Sequence, residues 1–360
     1  MTLEEIWSKE RSMLIDPQKL IYAGRGSTAL WAILKAHNSS SSNGKILVPA
    51  NICEIVIPII KNAGMKPVYY DVDPIQGNAD INHIQDAFTG DEKILLAVHN
   101  FGTPLPIKQI AVWAKNQNVF LIEDVCNALG ANYENKPLGT LGDAAIFSFG
   151  YAKIIEKKTG GALLIKNNKL KKVVNNTLTT LPIYNSQHHH FDQKFQIKLK
   201  EIRKDARKFS PKFYVPLYEE YVNHLFYQIN QELITEIQQD METLQENIDR
   251  RKQIATGYRE KITNPLIQHR TPVDGEIFWR YSILAANTEM RNTLIRKLRT
   301  NNLLASTWYP PVNHLFEKKG NESDFKGAYF FSQRVINLFV DKRVNKEAID
   351  KTIDIINNFK

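Results

Sequence analysis

Between Lys45 and Asn167 the chain alternates short, nearly unbroken apolar runs with stretches of helical periodicity. The runs KILVPA (45–50), KPVYYDVD (66–73), KILLAVHNFG (93–102), VFLIEDV (119–125), AAIFSFG (144–150) and GALLIKN (161–167) predict strands. EIVIPIIKNAG (54–64), which closes on Gly64, and IKQIAVWAKNQN (107–118) predict helices between them. Strands that are apolar throughout, and separated by helices, are parallel and buried on both faces. The expected fold class is α/β, a central mostly parallel sheet flanked by helices. Ligands of such sheets sit beyond the carboxyl ends of the strands. The runs that lead to Asp124 and Lys153 should therefore face one crevice.

Beyond residue 168 the pattern changes. Residues 169–216 predict irregular structure or helices packed outside the sheet, and 218–261 predict a long helical stretch rich in Gln, Glu and Ile. IFWRYSILAAN (277–287) and VINLFV (335–340) read as strands, and EMRNTLIRKLRTNN (289–302) and KEAIDKTIDIINNF (346–359) as helices, which together make a smaller α/β unit. A length of 360 residues fits more than one domain. The expected division is an N-terminal helical segment (1–20), a large domain (21–215), and a long helix with a small C-terminal domain (216–360).

Hydrophobic content of 43% and charged content of 24% place the chain among ordinary globular proteins. Charge appears too early after Met1 for a signal peptide, and no apolar run approaches the roughly 20 residues that cross a bilayer, so no membrane partner is expected. Two cysteines, Cys53 and Cys126, read as free thiols of a reducing compartment, which predicts a cytoplasmic protein. The net charge is +9. Its densest run, KLKEIRKDARK (198–208), is interrupted by Glu201 and Asp205 and reads as a solvated helix face. No nucleic-acid motif accompanies it, so no nucleic-acid partner is expected. His188, His189 and His190 have no carboxylate or cysteine pair at ligand spacing, so they predict a mobile loop and no metal.

The segment from Gly142 to Asn167 sets one lysine, Lys153, between two apolar runs, five residues after Ser148 and seven before the Gly160-Gly161 pair. Together with EDVCNALGA (123–131), AGRGSTALWAIL (23–34), KPVYYDVDP (66–74), VHNFGTP (98–104) and, more weakly, RVINLFVDKRVNKEAID (334–350), this segment resembles the DegT/DnrJ/EryC1/StrS aminotransferases. These are fold-type-I pyridoxal-phosphate enzymes, mostly acting on nucleotide-linked keto sugars. The resemblance implies pyridoxal 5'-phosphate as cofactor, a keto-sugar acceptor, glutamate as amino donor and a homodimer.

The resemblance also implies roles. Lys153 is the Schiff-base lysine, and as free amine it shuttles the proton. A free lysine has a pKa near about 10.4, so this role needs a desolvated setting, which burial between strands supplies. The bland reading is a loop lysine beside Lys157 and Lys158. Asp124, at the end of a buried strand, holds the cofactor's ring nitrogen protonated, or else simply caps a helix. Its neighbour Glu123 alternates to the other face. Gly26, Ser27 and Thr28 match the family's phosphate-binding triplet at a helix start, with Arg25 where a serine is usual, and Ser148 adds a second hydroxyl. An N-capped helix is the plain alternative there. Asn127 stands where the family has a glutamine that touches the ring hydroxyl.

Other positions depart from the family. Cys53 stands where an aromatic side chain stacks on the cofactor ring, which leaves His99 as a stacking candidate. Cys126 reads as a small packing group. The family's Asn-x-Arg segment, which reaches into the neighbouring subunit, has no counterpart between 169 and 230, and STWYPPVNHLF (306–316) carries Trp308 in place of the histidine of His-Tyr-Pro. The aromatics of 213–239 could cover a partner's site or pack on the chain's own small domain. An aminotransferase is one expectation; a cofactor-binding homologue that has lost the reaction and serves as regulator or partner subunit is the other. Intact Lys153 and Asp124 argue for the first, and Lys153 also argues against the family's dehydratases, which carry histidine there.

Overall fold

The structure, a computed structural model, describes residues 14–38 and 44–359. The N-terminal helical segment expected over 1–20 falls mostly outside the described residues; within it, Pro17–Lys19 form a single 3-10 turn capped by Asp16.

The strands of the first half are β1 (Ile21–Ala23), β2 (Lys45–Pro49), β3 (Lys66–Tyr70), β4 (Glu92–Val98), β5 (Phe120–Asp124), a short hairpin of β6 (Asn132–Tyr133) and β7 (Lys136–Pro137), then β8 (Ala144–Ser148) and β9 (Gly161–Ile165). Seven of them form one sheet in the order β1-β9-β8-β5-β4-β2-β3. From β8 to β3 the pairs are parallel, whereas β9 runs antiparallel to both β8 and β1. The link from β8 to β9 contains no helix, and a parallel crossover needs one or its equivalent. Alternate side chains of each strand enter different cores: Leu47, Leu95, Leu121 and Phe147 on one face, Ile46, Ile94, Ile122 and Ile146 on the other. Helices α1 (Gly26–Asn38), α2 (Val56–Asn62), α3 (Ile81–Ala87) and α4 (Ile107–Asn116) cover these faces. The strand expected over 93–102 stops at Val98, because Asn100–Gly102 turn through Phe101 at φ 64°.

The middle of the chain is helical: α5 (Asn168–Thr179), α6 (Ser186–Arg203) and α7 (Pro211–Val222). The side chains of Asn167 and Asn185 accept from the first free amides of α5 and α6. His188, His189 and His190 therefore lie in the first turns of α6 rather than in a mobile loop. The long helical stretch expected over 218–261 is broken. After α7 the chain runs extended before α8 (Gln231–Glu242) and α9 (Leu244–Lys261), held by Gln228 N to Pro182 O at 2.8 Å and Gly24 N to Tyr227 O at 2.9 Å. A Cβ on Gly24 would stand 2.2 Å from that Tyr227 oxygen, so the close approach requires glycine. The aromatics Tyr214, Tyr218 and Tyr221 of α7 are buried in the same core as α1, β2 and β4. Tyr214 and Tyr218 also pack edge-on against Phe316, at 6.2 and 5.5 Å between ring centres, so part of this stretch packs on the chain's own C-terminal portion, one of the two alternatives the sequence left open.

A second sheet, β10 (Ile267–His269), β11 (Tyr281–Ala285), β12 (Ala305–Ser306) and β13 (Val335–Leu338), is antiparallel in the order β10-β11-β13-β12. It packs with α10 (Thr288–Thr300), α11 (Lys326–Arg334) and α12 (Lys346–Asn357). It docks on the first through Trp279 N to Phe101 O at 2.8 Å and through the Asp71 carboxylate, which accepts from the Gly327 and Ala328 amides at the start of α11, each at 2.8 Å. This docking brings Trp279, Trp308 and Tyr309 to the strand ends of the main sheet.

Candidate active site

Register places Val98 opposite Asp124 and Asp124 opposite Ile146. The carboxyl ends of β4, β5 and β8 thus form one floor, above which lies a cavity of about 330 Å³. Gly26 and Ser27 from the start of α1, Cys53 from the loop after β2, Asp124 and Asn127 from β5 and its turn, Ser148 from β8, and Lys153 from the following turn all line it.

Lys153 is half-buried, and its Nζ donates to Asn127 Oδ1 at 2.8 Å. Asn127 Nδ2 donates onward to the Tyr309 hydroxyl at 2.9 Å, and burial pushes the Tyr309 phenol up, so it stays neutral. Asp124 is 7% exposed, and its Oδ1 accepts from the Cys126 amide at 2.9 Å. The carboxylate thus makes a local turn contact and also faces the cavity. Glu123 points to the opposite side, as alternation requires, and its carboxylate accepts from the Gly139, Leu141 and Gly142 amides at 2.9, 2.8 and 2.6 Å. Burial pushes Glu123 up, but the His99 ring and these amides outweigh it and hold the carboxyl below its usual range.

Two expected site residues lie elsewhere. Thr28 Oγ1 donates to the Leu225 carbonyl in a fully buried setting and does not reach the cavity; it ties α1 to the segment after α7. His99 is fully buried under the floor, where Nδ1 accepts from the Leu105 amide at 3.1 Å and Nε2 lies 3.4 Å from Glu123, so it cannot stack on anything in the cavity. Cys53 does line the cavity but offers no ring. Cys53 is exposed on the cavity side and Cys126 half-buried, and desolvation at the cavity pushes both thiols up against the pull of the Lys153 charge. Aromatic surface comes instead from Trp279, Trp308 and Tyr309, of which Trp279 and Tyr309 stack at 11°.

Sequence reasoning missed a polar wall. Arg203, in the middle of the basic run read as solvated and at the end of α6, points inward: its Nη2 donates to Glu54 Oε2 at 2.6 Å, and its guanidinium lies 4.4 Å from the Trp308 ring centre. The Tyr218 hydroxyl donates to the same carboxylate oxygen at 2.5 Å. A parallel arrangement links Arg25 to Asp192 at 3.2 Å, with Tyr221 donating to Asp192 at 2.8 Å. Helices α6 and α7 of this same chain thereby wall the cavity. A charged residue directly after Cys53, at a strand's carboxyl end, was the one sequence signal for this wall.

The donor set suits a flat, phosphorylated aromatic aldehyde. An amine, a carboxylate, two hydroxyls and a helix start converge, and a Cβ on Gly26 would stand 3.0 Å from Cys126 Sγ and from Ser148 Cβ, so any side chain there would press on both. Among the described residues no group of three His, Cys, Asp or Glu could hold a metal ion, and no helix is long and apolar enough to cross a membrane.

Comparison with known proteins agrees with this layout. The chain is 37% identical over 129 residues to the lipopolysaccharide biosynthesis protein RfbH of Salmonella typhimurium, a match over 36% of this chain and 29% of that protein. It thus spans less than a third of that relative's length. It is 25% identical over 346 residues to a dTDP-3-amino-3,6-dideoxy-alpha-D-galactopyranose transaminase of Aneurinibacillus thermoaerophilus, covering 94% of this chain and 85% of that one. The fold matches S. venezuelae DesV, solved in complex with a ketimine intermediate, with a TM-score of 0.74 at 18% identity over 99% of this chain and 88% of that one. The sequence profile of the DegT/DnrJ/EryC1/StrS aminotransferase family matches residues 13–203 and 232–357, and the gap between the two stretches carries α7. On that match, the chain belongs to the DegT/DnrJ/EryC1/StrS aminotransferase family.

Proposed function

We propose that this chain is a pyridoxal 5'-phosphate-dependent aminotransferase that moves an amino group from glutamate to the carbonyl of a keto sugar, with a nucleotide-linked sugar as the acceptor class. The observation that carries the reading is the convergence of Lys153, Asn127 and Asp124 in one cavity. When bound, the cofactor supplies the electron sink that amine transfer needs. Lys153 offers the amine that engages the cofactor's aldehyde and afterwards moves a proton at the substrate carbon. Asn127 holds that amine in position. Asp124 keeps a ring nitrogen protonated. Ser27, Ser148 and the amide at Gly26 hold the phosphate at the start of α1. Trp279, Trp308 and Tyr309 close the cavity against water.

The reading includes a two-fold homodimer, a cytoplasmic location and a division of the chain near residue 215. Tyr151, 79% exposed on the cavity rim, and Ile197, exposed beside Gln196 of the lining, are apolar groups that a second copy would cover. Two free cysteines fit a reducing compartment. The test is borohydride reduction of the cofactor-loaded protein followed by peptide mass spectrometry. A phosphopyridoxyl group on Lys153 is expected; a group on another lysine, or none, overturns the reading.

A further inference from the structure

We propose that Arg25 supplies the counter-charge for the cofactor's phosphate, and that α7 holds it there through Tyr221 and Asp192. The inference rests on the cofactor reading above and concerns a residue that stands where the family usually has serine.

The backbone at Arg25 has no freedom. Arg25 pairs with Gly160 in an isolated bridge, Gly160 N donates to Gly24 O at 2.8 Å, and a Cβ on Gly161 would stand 2.1 Å from the Arg25 carbonyl carbon. The side chain therefore leaves the chain immediately before Gly26 and Ser27, and it lines the cavity. Both of its contacts to Asp192 come from Nη1, at 3.2 Å to each oxygen. The pair is not the two-pronged fork, and the Tyr227 hydroxyl is a second polar neighbour of the guanidinium. Asp192 is shared with Tyr221, whose hydroxyl donates at 2.8 Å, and the guanidinium lies 6.0 Å from the Tyr221 ring centre.

Charge makes the case. A phosphate monoester carries about −1.5 to −2 near neutral pH, whereas a helix start offers only about +0.5. Gly26, Ser27 and Ser148 are neutral. Of the other cations on the lining, Lys153 donates to Asn127 and Arg203 pairs at 2.6 Å with a Glu54 side chain only 3% exposed, whereas Arg25 has the longer pair, 3.2 Å, with an Asp192 side chain that is 20% exposed. Arg25 is the cation of the lining that adjoins the phosphate cradle. Tyr221 belongs to the segment 204–231, outside the stretches the family profile matches, while Asp192 lies inside them.

The test is equilibrium binding to the apoprotein, followed by absorbance, with pyridoxal phosphate and with pyridoxal, which lacks the phosphate. Arg25→Gln should weaken pyridoxal phosphate binding by about 10- to 100-fold and leave pyridoxal binding unchanged. Arg25→Lys should recover part of the loss, and Tyr221→Phe should show a smaller loss of the same kind. If Arg25→Gln does not fold, Tyr221→Phe decides alone. Unchanged phosphate-dependent affinity in the folded variants, or equal loss for both ligands, overturns the inference while leaving the cofactor reading intact. Wild-type protein that binds neither ligand overturns both.

Discussion

Lys153 Nζ lies 2.8 Å from Asn127 Oδ1, a neutral amide, and not in an ion pair with Asp124. The partner matters for the chemistry. An amide acceptor orients the amine without setting a charge against it. Asn127 is itself fixed by Tyr309 from the second-sheet side, so the lysine's position depends on how the two sheets dock.

Lys153→Ala is expected to lower transamination by at least about 10²- to 10⁴-fold, the scale of a lost acid–base group, with no covalent route left. The side chain is half-buried and makes one hydrogen bond, so the melting temperature should change little. A steady-state assay beside a melting curve checks this; retained turnover in the folded variant contradicts it.

Asp124→Asn is expected to keep the fold and to bind cofactor, because the amide retains the Oδ1 contact to the Cys126 amide. It should lose most of its rate, since a neutral group does not hold a ring nitrogen protonated. Kinetics with saturating cofactor tests this. A wild-type rate would reduce Asp124 to a turn-capping residue.

Tyr218→Phe removes one of the donors to Glu54, a carboxylate only 3% exposed. A loss of about 1–3 kcal/mol is expected, because a buried carboxylate is left less satisfied. Urea denaturation measures it. A variant as stable as wild type would show that Arg203 alone satisfies Glu54.

Asp341→Asn should cost more, about 3–5 kcal/mol, because Arg280 is buried beside it and pairs with it at 2.9 Å. Burial works against ionisation of Asp341, but the Arg343 hydrogen bond and the Arg280 charge outweigh it and hold the carboxyl down at about 2. A carboxyl whose folded pKa is depressed stabilises the fold above its unfolded value of 3.8 and loses that contribution as pH falls toward 2. The gap between wild type and variant should therefore be full at pH 7 and shrink between about pH 4 and 2. A gap that does not depend on pH contradicts this.

The main sheet was legible because its strands are apolar on both faces and its helices are periodic, so local pattern and tertiary burial agree from Ile46 to Ile165. Lys153, Asp124, Asn127 and Ser148 were legible because one short segment carries them at fixed spacing. Thr28 and His99 went astray because motif position does not say which way a side chain leaves its element. Thr28 lies two residues into α1 and turns toward Leu225, and His99 turns under the floor. Arg203, Tyr218 and Arg25 with Asp192 were not legible as a wall. Their contacts join residues up to 167 positions apart, and a basic run shows no inward-facing member until α6 is placed.

One measurement tests the central claim most directly: the absorbance of the protein loaded with pyridoxal phosphate, followed as glutamate is added. The account predicts a yellow chromophore that requires Lys153 and bleaches with glutamate, with one equivalent of keto acid released per site. A colour that persists unchanged in glutamate, with no keto acid formed, would contradict it and leave a cofactor-binding protein that does not transaminate.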